Sequence, residues 1–309
     1  MSKRQIIDCH VHIYDSKERG RHEKKEYEVW EYGRKTDVQY SKYGGDLEDT
    51  LQAMRESNVN KAVVLGYLPV TIANLRQNAS LPNQENSVSE VNLKISQMLL
   101  ESNVANCELA RKHFDLIPFI LLDPHAMSPD ESEAHLREMV AQHGAKGVKL
   151  HPVLQRFYPN DKRMWPIYKT CVDLAIPILS HSGSARGPEK YAEPEAFVEA
   201  LKEFPKLTLI LAHLGGGSWQ QTLNIAKKYE NVYFDCSEII EWLGAPSAPT
   251  PHEIAELIKK IGPHRVMMGS DFPWYDLDRT VHSINALPVL SDEEKQDILG
   301  ENATQILEI

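Results

Sequence analysis

Eight short apolar runs recur along the 309-residue chain, and they limit its fold more than any other feature. They cover residues 6–14, 61–68, 116–123, 147–152, 177–183, 207–214, 232–237 and 266–272. Their centres, such as Ala62-Val63-Val64-Leu65 and Leu207-Thr208-Leu209-Ile210-Leu211, are nearly unbroken in apolar side chains. Alternating polar and apolar residues would suit a strand with one wet face. Continuous apolar runs suit parallel strands covered on both faces.

Amphipathic helical patterns fill the intervals. Leu47, Leu51 and Met54 repeat at helical spacing in 46–58, and Val91, Ile95, Met98, Leu99 and Leu109 in 90–113. Ser128 stands as an N-cap before 129–143, with Glu131 close behind. Segments 164–174, 194–204, 218–229, 251–261 and 292–307 complete a set of eight. Strand–helix alternation repeated eight times predicts an α/β fold, a (β/α)8 TIM barrel. An open doubly wound sheet is the alternative, but eight parallel strands in a chain of this length usually close. We expect one domain over 1–309, with extended βα loops capping the C-terminal face. The longest, 15–44, is read as a loop insertion after the first strand; its Tyr27, Trp30, Tyr32, Tyr40 and Tyr43 suggest an ordered cap. Loops 153–163 and 239–252 reach the same face.

A net charge of −10 argues against nucleic acid, which wants a basic partner. No stretch reads as a signal peptide or a membrane span. Cys9, Cys107, Cys171 and Cys236 lie far apart without a CxxC pair and read as buried thiols of a cytoplasmic protein.

The chemistry concentrates where the apolar runs end. Asp8-Cys9-His10-Val11-His12 closes the first run, and alternation puts His10 and His12 on one strand face. The fifth run ends in Ser180-His181-Ser182-Gly183, the sixth in Ala212-His213-Leu214-Gly215, and the eighth in Gly269-Ser270-Asp271-Phe272-Pro273. Each polar residue follows an apolar run and precedes a turn, so each falls on the C-terminal lip, where barrel active sites lie. Packing alone does not account for three histidine sites and an aspartate arriving at one lip.

His10-Val11-His12, His181, His213 and the Gly-Ser-Asp271-Phe-Pro run together resemble the amidohydrolase superfamily. Within it, the chain is most similar to the branch holding the aminocarboxymuconate semialdehyde decarboxylase-like enzymes. The resemblance spans nearly the whole chain. It implies His10, His12, His181 and Asp271 as ligands of one divalent metal. Asp271 and His213 are then the catalytic residues, His213 polarising substrate or moving a proton beside the metal. Three nitrogens and a carboxylate fit zinc best, with manganese and iron open. A cation so held acidifies water to a pKa of about 7 in favourable zinc sites.

Strand four reads Gly147-Val148-Lys149-Leu150-His151-Pro152. In two-metal relatives a strand-four lysine is carbamylated and bridges two ions. If Lys149 stands at the metal level, a second metal follows and His213 becomes its ligand. If His151 stands at the lip, Lys149 lies a layer deeper and either residue contacts substrate. The proline after His151 favours this mononuclear arrangement. Trp274 and Tyr275, just past Asp271, either line the substrate pocket or pack the loop, and Trp274 is taken as a substrate-binding residue. Gly215-Gly216-Gly217-Ser218 reads as a tight turn with Ser218 as helix cap. Arg156, Arg186 and Tyr158 lie on mouth loops, where surface charge is the default reading for the arginines. His125 is read as a loop histidine.

The resemblance selects hydrolysis of a small-molecule ester, lactone or amide by metal-activated water. The alternative enzyme is a metal-dependent non-oxidative decarboxylase of an unsaturated or aromatic acid. A third reading is a non-catalytic barrel that binds metal or ligand. The expected partners are a small-molecule substrate and other copies of the chain in a homodimer or higher oligomer, with neither nucleic acid nor membrane.

Overall fold

The computed structural model describes residues 4–32, 40–81, 87–184, 187–242 and 248–309. Eight parallel strands run in chain order: β1 (Ile7–Val11), β2 (Lys61–Leu65), β3 (Leu116–Leu121), β4 (Gly147–Leu150), β5 (Ile178–Ser180), β6 (Leu209–Leu211), β7 (Val232–Asp235) and β8 (Val266–Met267). The last returns to the first. Cys9 N–H donates to the Met268 carbonyl (2.9 Å), Asp271 N–H to the His10 carbonyl (2.8 Å) and His12 N–H to the Phe272 carbonyl (2.7 Å). The predicted (β/α)8 barrel is therefore the fold, with every strand shorter than its apolar run.

Helices α1 (Lys17–Tyr32) and α2 (Leu47–Glu56) separate β1 from β2, and α3 (Val70–Ala79) and α4 (Val88–Lys112) precede β3. Next come α5 (Pro129–His143), the single turn α6 (Pro152–Gln155), α7 (Trp165–Leu174), α8 (Val198–Glu203), α9 (Thr222–Lys228) and α10 (Pro251–Ile261). After β8 follow α11 (Leu277–Ala286), α12 (Asp292–Gln296) and α13 (Asn302–Leu307). The predicted cap at Ser128 is present as a full capping box with Glu131. Ser218 is not a cap, because the helix begins later, at Thr222.

Two apolar shells sandwich the sheet. Val64, Ile120, Val148, Ile178, Leu209 and Phe234 face outward into the helices. Val63, Leu65, Phe119, Leu179, Ile210 and Met267 fill the barrel interior.

The segment after β1 departs from the sequence reading: 17–32 is a helix, not a loop. Its buried face is charged. Glu23 accepts from Val70 N–H (3.0 Å), and Lys24 donates to the carbonyls of Ser41 (2.7 Å) and Tyr43 (2.6 Å). Helix α1 also presses close to the barrel mouth. A Cβ at Gly20 would stand 1.7 Å from the Gly44 carbonyl oxygen. No described helix is long and apolar enough to cross a membrane.

Candidate active site

β1 has to reverse its inward face to build the site. Ile7 and Cys9 point into the barrel core, so strict alternation would send His10 and His12 outward with Asp8. The register prevents this. Asp8 pairs with Ala62 and Val11 with Val64, so three residues of β1 span two of β2. This one-residue bulge carries Val11 to the outer shell and turns His10 and His12 into the mouth.

Three other lip residues adopt a left-handed backbone. His213, Glu238 and Asp271 each have φ of 60°. That conformation is uncommon for residues with a Cβ and costs about 1 kcal/mol or more each. Here it aims side chains from the ends of β6, β7 and β8 at one point.

His10, His12 and Asp271 form one group able to hold a cation. Asp271 Oδ1 stands 3.4 Å from His10 Nε2 and 3.4 Å from His12 Nε2, and the three ligand atoms lie within 4.8 Å of one another. Both rings are fixed from behind. His12 Nδ1–H donates to the Leu65 carbonyl (3.2 Å), and His10 Nδ1–H donates to Asp235 Oδ2 (3.0 Å). With Nδ1 carrying the proton, each Nε2 keeps a lone pair facing Asp271. Two imidazole nitrogens and a carboxylate oxygen converging in this way fit a divalent cation. Burial, with Lys149 adding to it, pushes His10 down to about 3, and burial lowers His12 too. Burial opposes charge on Asp271, but its histidine neighbours, His10 foremost, outweigh it and hold the carboxyl below the usual range.

His181 and His213 line the same cavity but stand beside this trio. His213 Nδ1 lies 2.9 Å from Ser237 Oγ and 3.3 Å from the Ser237 carbonyl, so it carries the proton. His213 Nε2 then accepts from His181 Nδ1–H (3.1 Å), which leaves His181 Nε2 as an acceptor. The His181 ring stacks on His151 at 4.0 Å between centroids. His213, Glu238 and Asp271 make a second group able to converge on a cation.

Lys149 combines the two arrangements weighed from sequence. β4 does end at Leu150, and His151 caps α6. Yet the long Lys149 side chain reaches the metal level, with Nζ 2.9 Å from His10 Nε2. Burial lowers it to about 8. Leu154 N–H donates to His151 Nδ1 (3.3 Å), so His151 holds its proton on Nε2 and donates to Tyr27 Oη (3.2 Å). Burial keeps His151 neutral.

Several partners escaped the sequence reading. Asp235 Oδ1 accepts from the backbone N–H of His213 (3.0 Å) and Ser237 (3.0 Å) and from the Ser237 hydroxyl. Asp8 holds the N–H of His10 (2.9 Å) and of Ser270 (3.0 Å) and is pushed up to about 7 by burial. Asp235 ends its apolar run as Asp271 does, a signal available in the sequence.

An inner cavity of about 40 Å³ lies over these groups, roofed by Tyr14, Tyr27, Tyr67 and Trp274. Trp274, expected from the sequence to bind substrate, lines this cavity against His12 at 5.5 Å between centroids. An outer vestibule of about 550 Å³ is lined by Arg156, Trp30 and Tyr191, and shares Tyr27 and His181 with the inner cavity. Tyr275 is buried and lines neither cavity. Tyr158 is exposed against Tyr191, His125 bonds the Arg156 carbonyl (3.1 Å), and Arg186 lies outside the described residues. All four cysteines are buried and free.

Known proteins share this architecture. An uncharacterised TIM-barrel protein from Bordetella bronchiseptica superposes with a TM-score of 0.71 at 20% identity, covering 98% of each chain. A dihydroxybenzoic acid decarboxylase from Polaromonas, solved with manganese and the inhibitor 2-nitroresorcinol, gives 0.67 at 16% identity over 99% of this chain and 97% of that one. A 4-oxalomesaconate hydratase from Rhodopseudomonas palustris gives 0.62 at 20%, over 98% and 96%. No curated protein sequence matches. The family model described as amidohydrolase matches residues 7–309, and the chain belongs to that family.

Proposed function

We propose that the chain is a metal-dependent hydrolase of a small ester, lactone or amide. The observation that carries this reading is the approach of Asp271 Oδ1 to the Nε2 atoms of His10 and His12, both with their Nδ1 protons held from behind. His10, His12 and Asp271 would hold the divalent ion, zinc by ligand preference, with His181 Nε2 as a fourth donor. When bound, the ion supplies Lewis acidity that polarises a carbonyl and acidifies water. The remaining work falls to the chain. Asp271 is ionised and takes a proton from the attacking water at its carboxylate, then returns it to the leaving group. His213, fixed by Ser237 and receiving the His181 proton, orients His181 and stands beside developing negative charge. Lys149, lowered only to about 8, stays mostly cationic at neutral pH and stabilises the same charge. The aromatic roof excludes bulk water and strengthens these interactions. Lys149 as a carbamylated bridge to a second ion is the less economical arrangement, because its Nζ is already engaged by His10.

One observation favours a second reading, a non-oxidative decarboxylase. The inner cavity is roofed by flat rings, which suit an aromatic or unsaturated acid, and a structurally similar barrel is a dihydroxybenzoic acid decarboxylase with bound manganese. In that reaction the bond from carbon to the carboxylate breaks, carbon dioxide leaves, and the carbon takes a proton that Asp271 would first accept from water and then pass on. Purified protein loaded with zinc or manganese tests the pair. Formation of the acid product from an ester, lactone and amide panel supports the hydrolase. Carbon dioxide release from hydroxybenzoates and unsaturated diacids, without hydrolysis, replaces it with the decarboxylase. Metal binding with no turnover on either panel leaves a binding barrel.

A further inference from the structure

Two residues that line the inner cavity carry a buried donor with no hydrogen-bond partner among the described residues: Tyr14 Oη and Trp274 Nε1. Tyr14 is only 3% exposed. Leaving such a group unpaired costs about 1–3 kcal/mol, and natural folds rarely tolerate it without a role. Of the other orphaned groups, Glu23 Oε1 also lines the cavity but has Arg19 Nε as its charge partner at 3.1 Å, while Trp165 Nε1, Thr170 Oγ1 and Trp242 Nε1 line neither the cavity nor the vestibule. The two that matter belong to neighbouring rings, 6.1 Å between centroids and inclined at 60°. Tyr67 braces Tyr14 edge-on at 4.7 Å, while Tyr27 (5.6 Å) and His12 (5.5 Å) brace Trp274. These contacts hold both polar atoms in place while leaving them unused.

We propose that Tyr14 and Trp274 together form a subsite for an anionic oxygen of a flat substrate, a carboxylate or a phenolate. The chemistry follows from the donor types. Indole Nε1–H only donates and the Tyr14 hydroxyl is free to donate, so the complementary atom is an acceptor. A charged acceptor gains about twice as much from each bond as a neutral one, more so away from water. His12 joins this subsite to the candidate metal ligands, because its ring touches Trp274 and its Nε2 faces Asp271. The subsite thus fixes the far end of a molecule whose reacting end lies over Asp271. The inference takes from the proposed function only that this cavity receives substrate, and needs no particular reaction.

The test uses metal-loaded wild type, Tyr14→Phe and Trp274→Phe, titrated calorimetrically with benzoate and with 4-nitrophenolate. Wild type should bind at least one probe, and each substitution should weaken that binding about tenfold. The tighter probe identifies carboxylate or phenolate as the group recognised. Tyr14→Phe without ligand should melt no lower than wild type, since its hydroxyl has no partner to lose. Failure of both probes to bind wild type overturns the inference. So does equal affinity in all three proteins, which would put the probe on the metal alone. A fall in Tm of more than about 2 °C in Tyr14→Phe does so too, by revealing a structural partner for the hydroxyl. Metal content measured on the same samples separates the two proposals. Probe binding that depends on Tyr14 and Trp274 in a protein holding no metal would sink the proposed hydrolase and leave this subsite standing.

Discussion

Replacing Asp235 with asparagine removes one negative charge and almost no volume, yet it should loosen the metal by one to two orders of magnitude. Asp235 Oδ1 serves the backbone N–H of His213 and Ser237, and an asparagine oxygen serves them equally well. The other position then becomes an NH2 group facing His10 Nδ1, now 3.0 Å from a carboxylate oxygen. Two donors cannot face each other, so His10 must move its proton to Nε2. That is the nitrogen turned toward Asp271, and once protonated it binds no cation. Loss of such a supporting partner typically costs 10- to 100-fold in metal affinity, or about 1.4–2.8 kcal/mol. Competition against a chelator of known affinity gives the number, with far-UV circular dichroism confirming the fold. His10→Ala provides the floor, because it deletes the ligand itself. Metal affinity in folded Asp235→Asn within twofold of wild type would refute the tautomer argument.

Three further outcomes follow from the packing. Metal-free protein should lose stability as pH falls below about 6.5, because burial holds His10, His12, His151 and His181 below their ordinary values. The unfolded chain binds those protons and the folded chain does not, so each histidine costs up to about 1.4 kcal/mol per pH unit, while Asp8, raised to about 7, pulls the other way. Urea midpoints of chelator-treated protein at pH 7.5 and 5.5 measure this, and equal midpoints would count against it. Gly20→Ala should push α1 off the mouth and cost about 1–3 kcal/mol, read as a lower Tm, because its Cβ would meet the Gly44 oxygen at 1.7 Å. Arg76→Met should cost about 3–5 kcal/mol in chemical denaturation, since it strands buried Asp123, which now takes two guanidinium bonds at 2.9 and 3.1 Å.

The barrel could be read from the sequence because each strand is buried on both faces, and apolar runs record burial directly. The lip residues could be read because a polar group at the end of such a run has few other reasons to be there. The covering elements left a weaker trace. Helix α1 buries Glu23, Lys24 and Glu28 instead of an apolar stripe, so its sequence carries no helical hydrophobic period and looks like a charged loop. Glu23 and Lys24 meet backbone groups of Val70 and of the 41–43 segment, partners that exist only after folding. Helix α3 hides in the same way, with Arg76 on its buried side paired to Asp123 from the end of β3.

The site itself shows the same divide between composition and geometry. Spacing correctly put His10 and His12 on one face of β1, but which face points inward depends on a bulge set by the register with β2. Reading strand four in layers made the level of Lys149 a choice between two arrangements. A lysine's four-carbon arm spans a layer, so the backbone can end where the mononuclear arrangement needs it while Nζ stands beside His10. His10 Nε2 is therefore the atom on which the alternatives turn. It faces Asp271 at 3.4 Å and Lys149 Nζ at 2.9 Å, while Asp235 behind it fixes the tautomer that lets it accept from either. A cation at this nitrogen must displace the Lys149 hydrogen bond and free the amine for another partner in the cavity. In the proposed function a substrate oxygen would be that partner, so metal occupancy and substrate binding by Lys149 would be coupled through a single histidine.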